Sequence, residues 1–371
     1  MKGDFVVKKK FVSRDIFFAG MLLIILLMAS NTVQARVDRN WIQDDQPDGL
    51  LMTSLNSGTE RLRFIQISDP HVGGGDYGTA GYDDLPPVGD QGGGAQYLRT
   101  CVDWINDNYG YYGIEFVIVS GDMTHSAEWS EFSKAKEILD SLEIPYVPVL
   151  GNHDVWPYTD DDEAEYGYGD EYFKDTFDDT FDDLAQFFDN WDDGTRLDQV
   201  WNPEVGYYCY FQNFSFDFEG FHFVIADFNT REHAPFDEPG IGPEADMHNF
   251  DGGTWPWFQD DIDNANHGDD NIYIIAHHPL RNTAQLPLFA FSSGEYSSIT
   301  SFLNGYKNNI GLWAAGHIHY NRTYAIKRYW STICYGHEVG SYESMDDNDG
   351  ERYGEVINKV FNGKIYKCKR N

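Results

Sequence analysis

Positive charge is what this sequence has least of. Only 26 of its 371 residues are Lys or Arg, against 61 Asp or Glu, for a net charge of −35. Phosphate backbones are recognised by clustered cations, and a surface of this sign repels polyanions, so nucleic-acid backbone binding is excluded as a function class. Cysteine is also scarce. Cys101, Cys209, Cys334 and Cys368 form no CxxC pair, which removes the spacing of a zinc–thiolate site and leaves disulfides or buried thiols open. Long hydrophobic runs are missing with one exception, residues 16–29, and that run is shorter than the roughly 20 residues of a bilayer-spanning helix. Apolar material is not lacking: 41% of residues are hydrophobic and 16% aromatic. That proportion supports a large core and lies outside the profile of disorder.

Lys8, Lys9, Lys10 and Arg14 precede the apolar run, and Val33-Gln34-Ala35 follows it with small residues at the cleavage spacing. This order reads as a secretory signal peptide over residues 1–35. The mature chain is then exported (secreted or periplasmic) and keeps no membrane span; an uncleaved N-terminal anchor is the alternative. Residues 36–60 have no clear period and read as an arm or linker. Residues 61–371 form the remaining domain.

Five short apolar runs recur within that domain, at residues 64–67, 116–119, 146–150, 272–276 and 312–315. They are buried-strand candidates. Helical spacing appears around Tyr97 to Asn106, Glu128 to Leu142 and Trp257 to Ala265, so strands alternate with helices in βαβ fashion. Three segments read as insertions: residues 73–94, 159–198 and 233–253. The second carries sixteen acidic residues with Lys174 and Arg196. Its Phe173, Phe177, Phe181, Leu184 and Phe188, spaced by three and four, predict an acidic amphipathic helix over the core. The chain ends in an expected hairpin turning at Asn362-Gly363.

The chemistry follows the apolar runs. They end in Asp69-Pro70-His71, Gly121-Asp122, Gly151-Asn152-His153-Asp154, His277-His278-Pro279 and Gly316-His317-Ile318-His319. Each taken alone reads equally as a turn, a cap or a packed histidine. Together, five strand ends deliver carboxylate, amide and imidazole donors with no thiolate, at the edge where α/β sheets bind ligands. That set suits Mn, Fe, Zn or Mg at a two-metal centre.

With these blocks in order (DxH, GD, GNHD, HxP and GHxH) the sequence resembles the calcineurin-like metallophosphoesterase superfamily from about Arg63 to His319. The resemblance implies an α/β fold, a four-layer α/β/β/α sandwich of mixed sheets with helices on the outer faces. It also implies two divalent or mixed-valence metal ions. Asp69, His71 and His319 would hold one, Asn152, His277 and His317 the other, and Asp122 both. A water between the ions would attack phosphorus as hydroxide. His153 would stabilise the transition state or protonate the leaving oxygen, with Asp154 fixing its tautomer. His278 faces substrate or packs, and Arg281 is a phosphate contact or a surface residue.

The tyrosine of the purple acid phosphatase block GDxxY is replaced by His125, and the GDxxDRG of Ser/Thr protein phosphatases is missing. What remains looks most like the cyclic-nucleotide-type phosphodiesterases and their exported relatives. The expected substrate is a small-molecule phosphodiester or phosphomonoester. The alternatives are an acid-phosphatase-like monoesterase and a non-catalytic secreted calcium- or partner-binding protein on the same scaffold. Asp346-Asp347-Asn348-Asp349-Gly350 is not an EF-hand loop, because its register places Met345 and Val356 at the terminal ligand positions.

Overall fold

All five apolar runs are strands, and each is buried on both faces, which is why they read as continuous hydrophobic stretches rather than alternating ones. The computed structural model describes residues 60–73, 93–155, 169–231, 244–265, 272–281, 291–317, 322–325, 335–338, 356–361 and 364–368. The leader, residues 36–59 of the arm, Trp156, Tyr158, His319 and Cys334 lie outside them. Residues from Thr53 onward form one compact unit.

Strands β1 (Glu60–Ile67), β2 (Phe116–Ser120) and β3 (Tyr146–Val149) pair in parallel. Helix α1 (Gly93–Tyr112) links the first two and α2 (Trp129–Leu139) the last two. The C-terminal strands β13 (Val356–Phe361) and β14 (Lys364–Cys368) complete a five-stranded mixed sheet on the β1 edge. Phe361 pairs with Lys364, leaving Asn362 and Gly363 between the strands as a two-residue hairpin requires.

After β3 comes α3 (Gly169–Phe187), the acidic helix expected from the pattern. Phe173, Phe177, Phe181 and Leu184 are buried while Asp175, Asp178, Asp182 and Asp183 face solvent. Strands β4 (Asp189–Asp192), β5 (Val200–Asn202), β6 (Tyr207–Cys209), β7 (Phe214–Phe218) and β8 (Phe221–Ile225) follow, then α4 (Thr254–Asn264), β9 (Ile272–Ile275), α5 (Ser293–Leu303) and β10 (Ile310–Ala315). With β11 (Arg322–Ala325) and β12 (Tyr335–Glu338), strands β4 and β7 to β10 build a second mixed sheet, ordered β11-β12-β10-β9-β8-β7-β4, while β5 and β6 pair separately as a two-stranded sheet.

The five motif-bearing strand ends therefore come from two sheets, not one open sheet. Alternation along the second sheet shows the layering. Phe223, Ile225, Tyr273, Ile275, Leu312 and Ala314 join the core shared with β1 and β2. Val224, Ile272, Ile274, Trp313 and Ala315 join a second core under α4 and α5. Phe64 and Phe223 meet edge-on across the sheets, ring centroids 5.7 Å apart. The result is the four-layer α/β arrangement that the sequence implies.

The β7–β8 hairpin was not legible. It turns on Glu219 and Gly220, both left-handed (φ 50° and 81°), as a type I′ turn demands, but Glu is a rare first residue for that turn. Cys101 is buried on α1 and Cys209 on β6. Among the described residues no helix is long and apolar enough to cross a membrane.

Candidate metal centre

Asp69 and His71 follow β1, Asp122 follows β2, Asn152 follows β3, His277 follows β9 and His317 follows β10. All six are buried. The two sheets touch at this edge: the His317 amide donates to Asp69 Oδ1 at 2.8 Å, and Gln66 Nε2 donates to the Ala315 carbonyl at 3.2 Å. Such proximity explains two of the motif glycines. A Cβ on Gly121 would strike the imidazole of His277, and one on Gly316 would strike Ser68 and Asp69. Asp69, His71, Asp122 and His317 themselves adopt left-handed backbone, φ 55°, 46°, 51° and 75°. That conformation is uncommon for residues with a side chain, and strain of this kind concentrates at functional sites.

Asp122 occupies the middle. Its Oδ1 accepts the His153 amide at 2.8 Å. Its Oδ2 lies 3.1 Å from His277 Nε2 and 3.7 Å from His71 Nε2. His277 Nδ1 lies 2.9 Å from the Ser120 carbonyl oxygen. A carbonyl only accepts, so Nδ1 carries the hydrogen and Nε2 is the nitrogen turned to the centre. Nε2 faces Asp122 Oδ2 and, at 3.0 Å, Asn152 Oδ1. His317 Nδ1 lies 2.9 Å from the same amide oxygen. Acceptors thus converge from four residues. Two triads bring their ligand atoms within 4.8 Å of one another, Asp69–His71–Asp122 and Asp122–His277–His317, with Asp122 common to both.

The electrostatics of the protein groups point the same way. Burial disfavours charge on His277, yet Asp122 prevails and pushes its pKa up to about 9. Burial pushes Asp69 up to about 8. Burial opposes charge on Asp122 too, but His277 outweighs it and holds Asp122 well below the usual carboxylate range. A charged carboxylate beside one that burial neutralises, with an imidazole driven to take a proton, is an arrangement that cations would relieve. The donors are oxygen and imidazole nitrogen, which fits divalent Mn, Fe, Zn or Mg.

His153 and Asp154 do not act on each other as their adjacency implies. His153 Nδ1 donates to the His125 carbonyl at 2.7 Å, which leaves Nε2 as its working nitrogen. Asp154 turns back, accepting from the Thr124 amide (2.8 Å), the Thr124 hydroxyl (2.9 Å) and the Gly151 amide (2.8 Å). Its carboxylate staples the block after β2 to the block after β3, and the tautomer of His153 is set by His125 instead. The His153 ring stands 4.5 Å from that of His71, centroid to centroid. His125, at the position of the missing tyrosine, contacts both rings at 5.5 and 5.6 Å.

Sequence reading missed Glu244. It lies within the third insertion, and its Oε2 lies 3.0 Å from His317 Nε2. Glu244, His278 and His317 bring ligand atoms within 4.8 Å of one another. His278 is buried, and burial together with neighbouring His317 holds it well below the usual histidine range. Arg281 is buried rather than a surface residue.

A family model described as Calcineurin-like phosphoesterase matches residues 62–321. No curated protein matches the chain. Among solved structures, a dimetal phosphatase from Danio rerio superposes with a TM-score of 0.50 at 13% identity, covering 82% of this chain and 94% of that one. A purple acid phosphatase from yellow lupin gives a TM-score of 0.45 at 16% identity, covering 83% of this chain and 51% of that one. Phosphopantetheinyl hydrolase from Mycobacterium tuberculosis gives 0.38 at 13% identity, with 77% and 91% covered. At these identities the first is a likeness of fold.

Proposed function

Because the chain belongs to the calcineurin-like phosphoesterase family, we propose that it is an exported hydrolase of small phosphodiesters that works with two divalent ions. Asp69, His71 and Asp122 would hold one ion; Asp122, Asn152, His277 and His317 the other, with His319 joining the first set by its place in the GHxH block. When bound, such a pair supplies a cationic cradle for a phosphoryl oxygen and lowers the pKa of a water molecule. The single observation that carries this reading is Asp122 Oδ2, a buried carboxylate oxygen set between His71 and His277 and shared by both candidate ligand triads.

The chain's own residues have separable tasks. Asp122 Oδ1 and the His153 amide fix the third block against the second. His125 holds the His153 ring with Nε2 available to pass a proton to a leaving oxygen. Asp154 locks Thr124 and Gly151 beneath them. Preference for a diester rests on His71 in the first block and on the absence of the tyrosine and DRG signatures of the monoesterase branches. Export rests on the pattern of residues 1–35.

The test is hydrolysis of bis-nitrophenyl phosphate and nitrophenyl phosphate by chelator-treated protein after readdition of Mn2+, Zn2+, Fe2+ or Mg2+. The diester should be cleaved at least as well as the monoester, and only with metal. A strong monoester preference would establish the acid-phosphatase-like alternative.

A further inference from the structure

Three side chains converge at a point the phosphoesterase reading does not use. Glu204 lies in the turn between β5 and β6, and Asp246 and His248 lie in the segment before α4; their ligand atoms fall within 4.8 Å of one another. His248 is fully buried, its ring packed 4.6 Å from that of Phe211. Its Nε2 lies 2.9 Å from the Asn229 carbonyl oxygen. The carbonyl can only accept, so Nε2 carries the hydrogen and the neutral ring aims a lone pair out of Nδ1. What that lone pair meets is Glu204 Oε2 at 3.2 Å and Asp246 Oδ1 at 3.7 Å.

Nδ1 and Glu204 Oε2 stand at hydrogen-bond distance, so the lone pair and the carboxylate oxygens repel one another unless a proton or a metal cation stands between them. The 3.2 Å separation fits a metal ion, since ligands bound at about 2.0–2.2 Å sit roughly 3.0–3.5 Å apart along the edge of a coordination polyhedron, and Asp246 at 3.7 Å stands just outside that span. The frame is fixed in advance, since Asp246 Oδ1 also accepts the His248 amide at 2.6 Å. Access is open as well, because the Glu204 and Asp246 side chains keep 30% and 23% of their surface exposed.

We propose that Glu204, Asp246 and His248 form a third cation site, separate from the paired centre and suited to one divalent ion of the borderline class such as Zn2+ or Mn2+. One imidazole with two carboxylates disfavours Ca2+ and Mg2+, which take oxygen ligands. The ion ties the β5–β6 turn to the segment that carries Glu244, which touches His317 two residues before Asp246. It also lies close to the third block: Asn229, which accepts from His248, donates through its amide to the Leu150 carbonyl at 2.8 Å.

The probe is Zn2+ alone, added to chelator-treated full-length protein, with bound zinc counted by elemental analysis and affinities measured by calorimetry. Wild type should take up one equivalent more than Glu204→Gln, and Asp246→Asn should weaken that equivalent by at least about tenfold. Glu204 is exposed, so its substitution leaves the fold and the paired centre in place. Uptake of a single Zn2+ that disappears in Glu204→Gln would uphold this site and refute the paired centre. Zinc uptake that both substitutions leave unchanged in number and affinity would overturn the site.

Discussion

Glu244 Oε2 and His317 Nε2 lie 3.0 Å apart, on the opposite side of the imidazole from the 2.9 Å approach of Nδ1 to Asn152. A carboxylate at Nε2 favours the tautomer with hydrogen there, and so keeps the Nδ1 lone pair on the metal side. Glu244 is in this sense a positioning residue.

Glu244→Gln should therefore weaken metal binding by about 10–100-fold, the usual effect of losing the carboxylate behind a ligating histidine. Activity measured against metal concentration should shift to higher metal, with kcat largely restored at saturation. Loss of kcat that excess metal does not restore would assign Glu244 a different task.

Substitution of His153 separates proton transfer from binding. His153→Ala should keep its metal yet lose rate by about 10²–10⁴-fold on esters with poor alkoxide leaving groups. Nitrophenolate leaves without a proton, so its esters should lose less. Equal losses on both would remove the acid role and leave electrostatic stabilisation.

His222, on β8, stands between Asp217 (2.7 Å) and Asp261 (3.0 Å). Burial opposes its charge, but the two carboxylates prevail and raise its pKa from 6.5 to about 9. The proton is bound more tightly in the folded chain than in the unfolded one. The resulting stability is fully present below pH 6.5 and is lost as the pH rises through about 9. Denaturant midpoints of wild type and His222→Gln should differ at pH 6 and converge near pH 10. A difference that stays constant with pH would contradict the charged pair.

The strands and the gathering of most candidate ligands at one edge were legible because their signals are local. A buried parallel strand is a continuous apolar run, and a ligand at its end sits in the same few residues, as Val119 leads to Gly121-Asp122. Glu244 was not legible, since it lies in a Gly- and Pro-rich loop and its partner arrives from the other sheet. Asp154 misled for the converse reason: adjacency to His153 implied a contact, but the turn after β3 points the carboxylate back at Thr124 and Gly151. The pairing of β1–β3 in one sheet and β9–β10 in another likewise depends on which strands hydrogen-bond, and the apolar runs of both sheets look alike in sequence.

The central claim, that one carboxylate serves two ions, is tested most directly by metal stoichiometry in a Glu204→Gln background, where the third site is removed. That protein should bind two ions per chain. Adding His277→Ala should empty mainly one position, while adding Asp122→Asn should weaken both together. Retention of both ions at undiminished affinity by the Asp122→Asn protein would contradict the account.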